Sequence, residues 1–386
     1  MLQIDHIYEF LYQEIFKDFE FWHLPNGVIP DKLSDISIFT LKQKTPKKIF
    51  FYDQEPMTEI GDPFIKFFAK EETKKIKILV TSEHSQKFTD CATLYNFKKL
   101  YYFFHGFAAM DWYRGYYVLN YNKSIVKQYK YDFISFNRII NNDRSYRIYF
   151  VSLLKSQGLL EHGLVSFNVT DNLFDDCQDE VVDPNTKLSE HAQQHIEKNL
   201  TDISKLVIDR PELPGSASAD ILRTVESWQY PGKEPPNVDA FWHIVTETVF
   251  YYDKLHLTEK IFKPIVSKQP FMLLAAPENL AYLRSYGFKT FDGIIDETYD
   301  LIEDNDLRTE AVVNQLAWYC NLSEAEKTDV VRAIEPIVLH NFHHFYGEFQ
   351  QIIVKELLDN TKILFKEIDY DDSHINYTNI QHVLTH

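Results

Sequence analysis

Short apolar runs of strand length alternate with amphipathic stretches of helix length twice along this chain, and that rhythm restricts the fold more than any other feature. Residues 48–52, 76–81 and 100–104 read as buried strands, the last ending at His105-Gly106, with a helix over 63–70 between the first two. The pattern restarts with a strand at 132–136, a helix at 144–156 and a strand at 164–167. It sharpens into strand 241–245, helix 258–267, strand 270–276 and helix 277–286, with Pro277 at N1 and Gly287 at C′. Strands separated by helical crossovers pair in parallel, which selects the α/β class. An amphipathic helix is expected over 3–20, an irregular insertion over 171–236 with a short helix at 190–200, and helices from 308 onward. The charged tail beyond 369 is expected to fray or lie over the surface.

A chain of 386 residues exceeds one ordinary core, so two domains are expected, 1–130 and 131–345. A C-terminal helix and tail, 346–386, could pack back on the first. Both domains read as doubly wound and Rossmann-like, facing a central cleft, and open sheets of this kind take ligands at the carboxyl ends of their strands. Hydrophobic residues at 45% and charged residues at 25% exclude collagen-like and disordered classes. The opening MLQIDHIYEF has no basic n-region, and apolar runs such as 271–276 are too short to span a bilayer, so no membrane insertion is expected. Cys91, Cys177 and Cys320 are far apart and form no CxxC, which points to a reducing, cytoplasmic setting. The net charge of -17 is uneven: residues 1–150 carry 21 Lys+Arg against 18 Asp+Glu, and 151–386 carry 19 against 39. A polyanion could approach the first part, where Lys42, Lys44, Lys47 and Lys48 cluster, although solvated surface lysines give the same pattern.

The stretch 246–291 holds the densest chemistry. A strand delivers Glu247, a loop of aromatic and polar residues follows, and a helix opens at Thr258-Glu259-Lys260. A threonine N-cap leaves backbone N–H groups pointing outward and the helix dipole adds positive potential, so this end suits a phosphate. Lys260 can add a full charge to a pyrophosphate, and Glu259 can accept from a ribose diol. An ordinary capped, charged first turn has the same letters.

The stretch resembles the donor-binding region of GT-B glycosyltransferases of the α1,3-fucosyltransferase type. The T-E-K is followed here by Pro270-Phe271, Tyr282-Leu283-Arg284 and Gly287-Phe288, and a looser likeness reaches back to Phe133-Ile134-Ser135-Phe136-Asn137-Arg138. The resemblance implies a transferase, inverting and metal-independent, that moves a sugar from a UDP or GDP sugar to an acceptor hydroxyl, with no cofactor beyond that nucleotide sugar. Residues 1–130 would be the acceptor-binding domain and 131–345 the nucleotide-sugar-binding domain. It puts Glu259 on the ribose, Lys260 on the phosphate and Arg138 on the β-phosphate; Thr258 and Lys263 are counted with the donor-binding residues, and Glu247, just upstream, either binds the substrate or orients the donor. Residues 1–130 resemble no family.

Transfer also needs a base for the acceptor hydroxyl. Strand ends in the first domain offer Glu55 first, then His84, Asp111 and Asp53, although a carboxylate there can equally cap a helix. No metal site is expected: Asp304-Asn305-Asp306 falls in a helical region, and His191 and His195 lack the glutamate of HExxH. His340, His343 and His344 read as helix-face residues, and Tyr113, Tyr116 and Tyr117 as candidates to stack on rings. The acceptor would be a glycan, from the resemblance, or a hydroxymethylated base of phage DNA. The second follows from the basic first domain and from a Lys-, Asn-, Ile-, Tyr- and Phe-rich style similar to tailed-phage proteins, and implies the host cytoplasm. The alternative from another class is a non-catalytic nucleotide-sugar or carbohydrate-binding protein with a GT-B-like fold.

Overall fold

The computed structural model describes residues 7–24, 37–39, 47–52, 76–82, 84–114, 129–137, 140, 142–167, 187–203 and 240–385. The protein is α/β, with two sheets built almost wholly of parallel strands. The chain divides into two units. The first comprises Met1–Asp111, Lys254–His256 and Gly347–His386, and the second Trp112–Asp253 and Leu257–Tyr346.

In the first unit α1 (Ile7–Glu14) leads to β1 (Phe19–Leu24), β2 (Ser37–Phe39), β3 (Lys47–Tyr52), β4 (Ile76–Thr81), α2 (Gln86–Tyr95), β5 (Lys98–Tyr101) and α3 (Phe104–Arg114). The sheet order is β2-β1-β3-β4-β5, parallel except for β2, which pairs antiparallel with β1. The helix expected over 3–20 is shorter: the apolar residues at 15, 16 and 19 fit either period, and Phe19 goes to the sheet with its ring edge-on to Phe16 at 5.7 Å. The strand expected to end at His105-Gly106 stops at Tyr101, and both residues enter α3. Gly106 permits this, because a Cβ there would meet the rings of Phe103 at 3.0 Å and Phe349 at 3.1 Å. The helix expected over 63–70 lies outside the described residues.

The second unit contains β6 (Tyr131–Asn137), α4 (Tyr146–Ser156), β7 (Gly163–Phe167), α5 (Glu190–Ile203), β8 (Ala240–Thr246), α6 (Glu259–Val266), β9 (Phe271–Leu274), α7 (Asn279–Ser285), α8 (Asn305–Cys320) and α9 (Glu324–Tyr346). Its sheet runs β7-β6-β8-β9, all parallel. Every residue of β8 and β9 is buried, as a strand covered on both faces requires, and this is why both read as unbroken apolar runs. Trp242 of β8 anchors the core against Phe241, Phe291 and Tyr319. Pro277 falls outside α7, which opens at Asn279 after Glu278 at φ 65, while Gly287 follows the C-cap at φ 91 as a C′ glycine does.

The last two helices, α10 (Phe349–Glu367) and α11 (Tyr377–Thr385), belong to the first unit. Asn360 donates to the carbonyl of Tyr101 at 2.9 Å, and Phe365 packs its ring against Phe16 at 5.6 Å. The tail does not fray: Ile380 and Leu384, four residues apart, are buried along α11, and Tyr377 donates to Asp372 at 2.6 Å.

Asp300, nearly buried, replaces a local cap for α7 by accepting from the backbone N–H of Leu280 at 3.1 and 3.0 Å. Burial pushes its carboxyl up to about 6, the backbone donors pulling the other way. The folded state therefore favours the protonated form, so its contribution is fully present below pH 4 and is lost as pH rises through 6. Relative to Asp300→Asn, the unfolding free energy of the wild type should fall by about 2–3 kcal/mol between pH 4 and 6.5, measured by urea titration. Parallel profiles would refute this.

Candidate functional site

The order β7-β6-β8-β9 turns back between β6 and β8, and the carboxyl ends of two such strands are where an open sheet leaves room for a ligand. Thr246, the last residue of β8, closes the base of that gap by donating to the carbonyl of Phe136 at 3.2 Å and to the side-chain oxygen of Asn137 at 3.1 Å. From the start of α4, Tyr146 donates to the carbonyl of Glu247 at 2.5 Å. Arg147, also buried, donates to the carbonyls of Thr246 at 2.7 Å and Glu247 at 3.2 Å.

Glu247 points inward and is fully buried. Its carboxylate accepts from the backbone N–H of Thr248 at 3.1 Å and of Thr258 at 3.0 Å, and from the Thr258 hydroxyl at 2.6 Å. A carboxylate so engaged is a structural hub that holds Thr248 and Thr258 in position. Thr258 is the N-cap of α6, its oxygen accepting from the Lys260 N–H at 3.4 Å. The Lys260 ammonium donates to the hydroxyls of Thr248 at 2.9 Å and Thr258 at 3.1 Å and lies 3.5 Å from the Glu259 carboxylate. With 27% of its side chain exposed against 12% for Glu259, Lys260 forms the open rim of the group. A cation and the first turn of a helix thus converge, an arrangement that can receive an anion.

Lys263, one turn on, is buried with its ammonium 4.7 Å over the ring of Phe136. Burial, then the charge of Lys263, pulls His243 down to about 3, so that histidine stays neutral. Tyr113, expected as a stacking surface, is fully buried and donates to the Glu259 carbonyl at 3.3 Å. Arg138, Asp53, Glu55, Tyr116 and Tyr117 lie outside the described residues, as do Lys42 and Lys44. In the first unit Asp111 belongs to α3, and His84 is exposed, edge-on to Tyr101 at 5.5 Å, its carbonyl accepting from Leu255 at 3.1 Å.

The remaining polar clusters serve local structure. His191 pairs with Glu310 at 3.2 Å, His195 with Ser152 at 2.9 Å, His340 with the Gly287 carbonyl at 3.0 Å and His344 with the Tyr286 carbonyl at 2.7 Å. Asp304 is the N-cap of α8. Asp132, His162 and Cys320 bring three ligand atoms within 4.8 Å. Asp132 already carries Lys327 at 2.7 Å and His162 at 3.0 Å, and burial pushes the Cys320 thiol up to about 12. That is an ion-pair network at the amino end of β6, remote in chemistry from the carboxyl ends.

Sequence reasoning missed Thr248, Tyr146 and Arg147 as parts of this site. Thr248 carried a weak signal, lying two residues beyond the strand; the two α4 residues carried none, because their partners are carbonyls about a hundred positions away. No family model, no curated protein and no solved structure matches the chain.

Glu247→Ala should lower stability by about 2–4 kcal/mol, since it strands buried donors of Thr248 and Thr258, whereas Lys260→Ala at the rim should cost under about 1 kcal/mol. Urea denaturation of both variants at neutral pH checks the contrast, and equal losses would contradict the positioning role.

Proposed function

We propose that this protein is a glycosyltransferase of the GT-B kind, taking a nucleoside-diphosphate sugar whose diphosphate sits at the start of α6. The observation that carries the reading is Lys260 held on the hydroxyls of Thr248 and Thr258 at the open carboxyl edge of the β6/β8 switch point. The resemblance of 246–291 to α1,3-fucosyltransferase donor regions supports it. Glu259, Thr258 and Lys260 are the donor-binding residues; Glu247 acts through them.

In this reaction the acceptor hydroxyl loses its proton to a base and attacks the anomeric carbon as the bond to the diphosphate oxygen breaks, inverting that carbon. The leaving group takes up negative charge, which Lys260 and the N–H groups at the start of α6 meet more strongly in the transition state than in the ground state. That charge compensation needs no metal. The base belongs to the first unit, with Glu55, Asp53, His84 and Asp111 as candidates and Glu55 preferred. Candidate acceptors are a glycan and a hydroxymethylated base of DNA.

Incubation with UDP- and GDP-sugars and both acceptor classes should release free UDP or GDP, and Lys260→Ala should lower the rate by about 10²-fold or more. Nucleotide binding without release under any condition would make this a binding protein, and unchanged binding in Lys260→Ala would sink the site. Binding to duplex DNA that weakens steeply with salt selects the nucleic-acid acceptor; a flat response removes it.

A further inference from the structure

We infer that Asp132, His162 and Cys320 form a site for one divalent cation of the zinc class at the amino end of β6, a seat that the Lys327 ammonium holds in the metal-free chain. Each ligand comes from a different element: Asp132 from β6, His162 from the turn that enters β7, and Cys320 from the last residue of α8. The three ligand atoms lie within 4.8 Å of one another. A tetrahedral metal with bonds of about 2.0–2.3 Å keeps its ligands about 3.3–3.8 Å apart. The Asp132 and His162 atoms at 3.0 Å, and the outer limit of 4.8 Å, bracket that span, so side-chain adjustments of about 1 Å close the site.

The sheet sets the frame. β6 and β7 run parallel with Phe133 opposite Gly163, which puts Asp132 and His162 side by side one residue earlier. A Cβ at position 163 would lie 2.4 Å from the Phe133 ring, so glycine there is what allows this spacing. Cys320 is buried and forms no disulfide, whereas 43% of the His162 side chain is exposed. The sulfur side is therefore closed and the imidazole side open, which gives an ion its entry and a solvent molecule the fourth position.

One thiol, one imidazole and one carboxylate favour zinc over magnesium or calcium, which take oxygen ligands. The seat already attracts a cation: the Lys327 ammonium lies 2.7 Å from Asp132 and 5.5 Å over the Tyr319 ring. Metal and ammonium compete for one carboxylate. On binding, an Asp132 oxygen, a His162 ring nitrogen and the Cys320 sulfur each give an electron pair to the ion, the thiol proton passes to solvent, and Lys327 withdraws from Asp132. The ion ties together β6, the turn before β7 and the end of α8. It stands at the opposite end of the sheet from Lys260, so it takes no part in the proposed transfer and the inference does not depend on that reading.

The test titrates Co²⁺ and then Zn²⁺ into the full chain under reducing, metal-free conditions, following the near-ultraviolet sulfur-to-cobalt charge-transfer band and the visible bands of a tetrahedral ion. The wild type should bind one Co²⁺ with both signals and release it to Zn²⁺. Cys320→Ser should lose the charge-transfer band, and His162→Gln should bind about tenfold or more weakly. Lys327→Met, which removes the competing ammonium, should bind about tenfold or more tightly, a gain that a purely structural ion pair does not predict. Circular dichroism checks that each variant is folded; should Cys320→Ser not fold, the comparison of Lys327→Met with the wild type decides alone. The inference is overturned when the wild type gives no charge-transfer band, when the band persists in Cys320→Ser, or when Lys327→Met binds no more tightly than the wild type.

Discussion

The carboxylate of Glu247 accepting from Thr258 governs how the carboxyl edge of the second sheet is built. Taking a carboxylate out of water costs several kcal/mol unless its lone pairs are filled, and three donors at 2.6 to 3.1 Å fill them here. Because the Thr258 hydroxyl proton is committed to Glu247, its oxygen can only accept, and it accepts from Lys260 twice, through the backbone N–H and through the ammonium. The cation at the rim is thus aimed by a charge that is itself fully buried. Two segments separated by an eleven-residue step in sequence become one rigid corner, and a group preorganised in this way has little left to pay when an anion arrives.

Two buried arginines do the complementary work. Parallel strands end in a row of carbonyl oxygens, and at this edge Arg147 takes those of Thr246 and Glu247 while Arg308 takes those of Phe250 and Ala275. Burial pulls Arg308 down to about 10, so it still carries its charge at neutral pH. A guanidinium satisfied wholly by neutral acceptors can hold several loop carbonyls at once, which a single amide or hydroxyl cannot. With these carbonyls occupied, the Lys260 ammonium at the start of α6 stands at the rim beside the Glu259 carboxylate.

Local chemistry was readable in the sequence, and distant pairing was not. Buried parallel strands betray themselves as continuous apolar runs, so β8 and β9 were found within a residue or two, and the N-cap rule located Thr258. The same rules misled where a distant group intervened. Pro277 was assigned to N1 by preference, yet Asp300 reaches in from beyond α7 and fixes the helix start two residues later. Arg308 marks in the sequence only where helical spacing begins, since nothing near it announces five acceptors drawn from three loops. Glu247 reads in the sequence only as a polar residue after a strand, open to binding a substrate or orienting a donor; that Thr258 comes round to meet it is visible in the fold alone. The acids at 369, 371 and 372 mark the tail as charged, whereas Ile380 and Leu384, further along in α11, are the pair that buries it.

The two sheets share one strand order, second, first, third, fourth, with a fifth strand added in the first unit. Each therefore has its own switch point, β1/β3 in one and β6/β8 in the other, and each is followed in sequence by a different chemistry. Asp53 and Glu55 come directly after β3, while Glu247, Thr258 and Lys260 come after β8. A group transfer needs both kinds of residue, a proton acceptor for the nucleophile and a cationic seat for the leaving group, and their demands on the electrostatic field are opposed. Each carboxylate close to Lys260 weakens its hold on an anion, so their number and distance set how strong a seat the corner is. Two carboxylates belong to the corner around Lys260: Glu259 lies 3.5 Å from the ammonium and offsets part of its charge, whereas Glu247 is buried behind a threonine and kept off the rim.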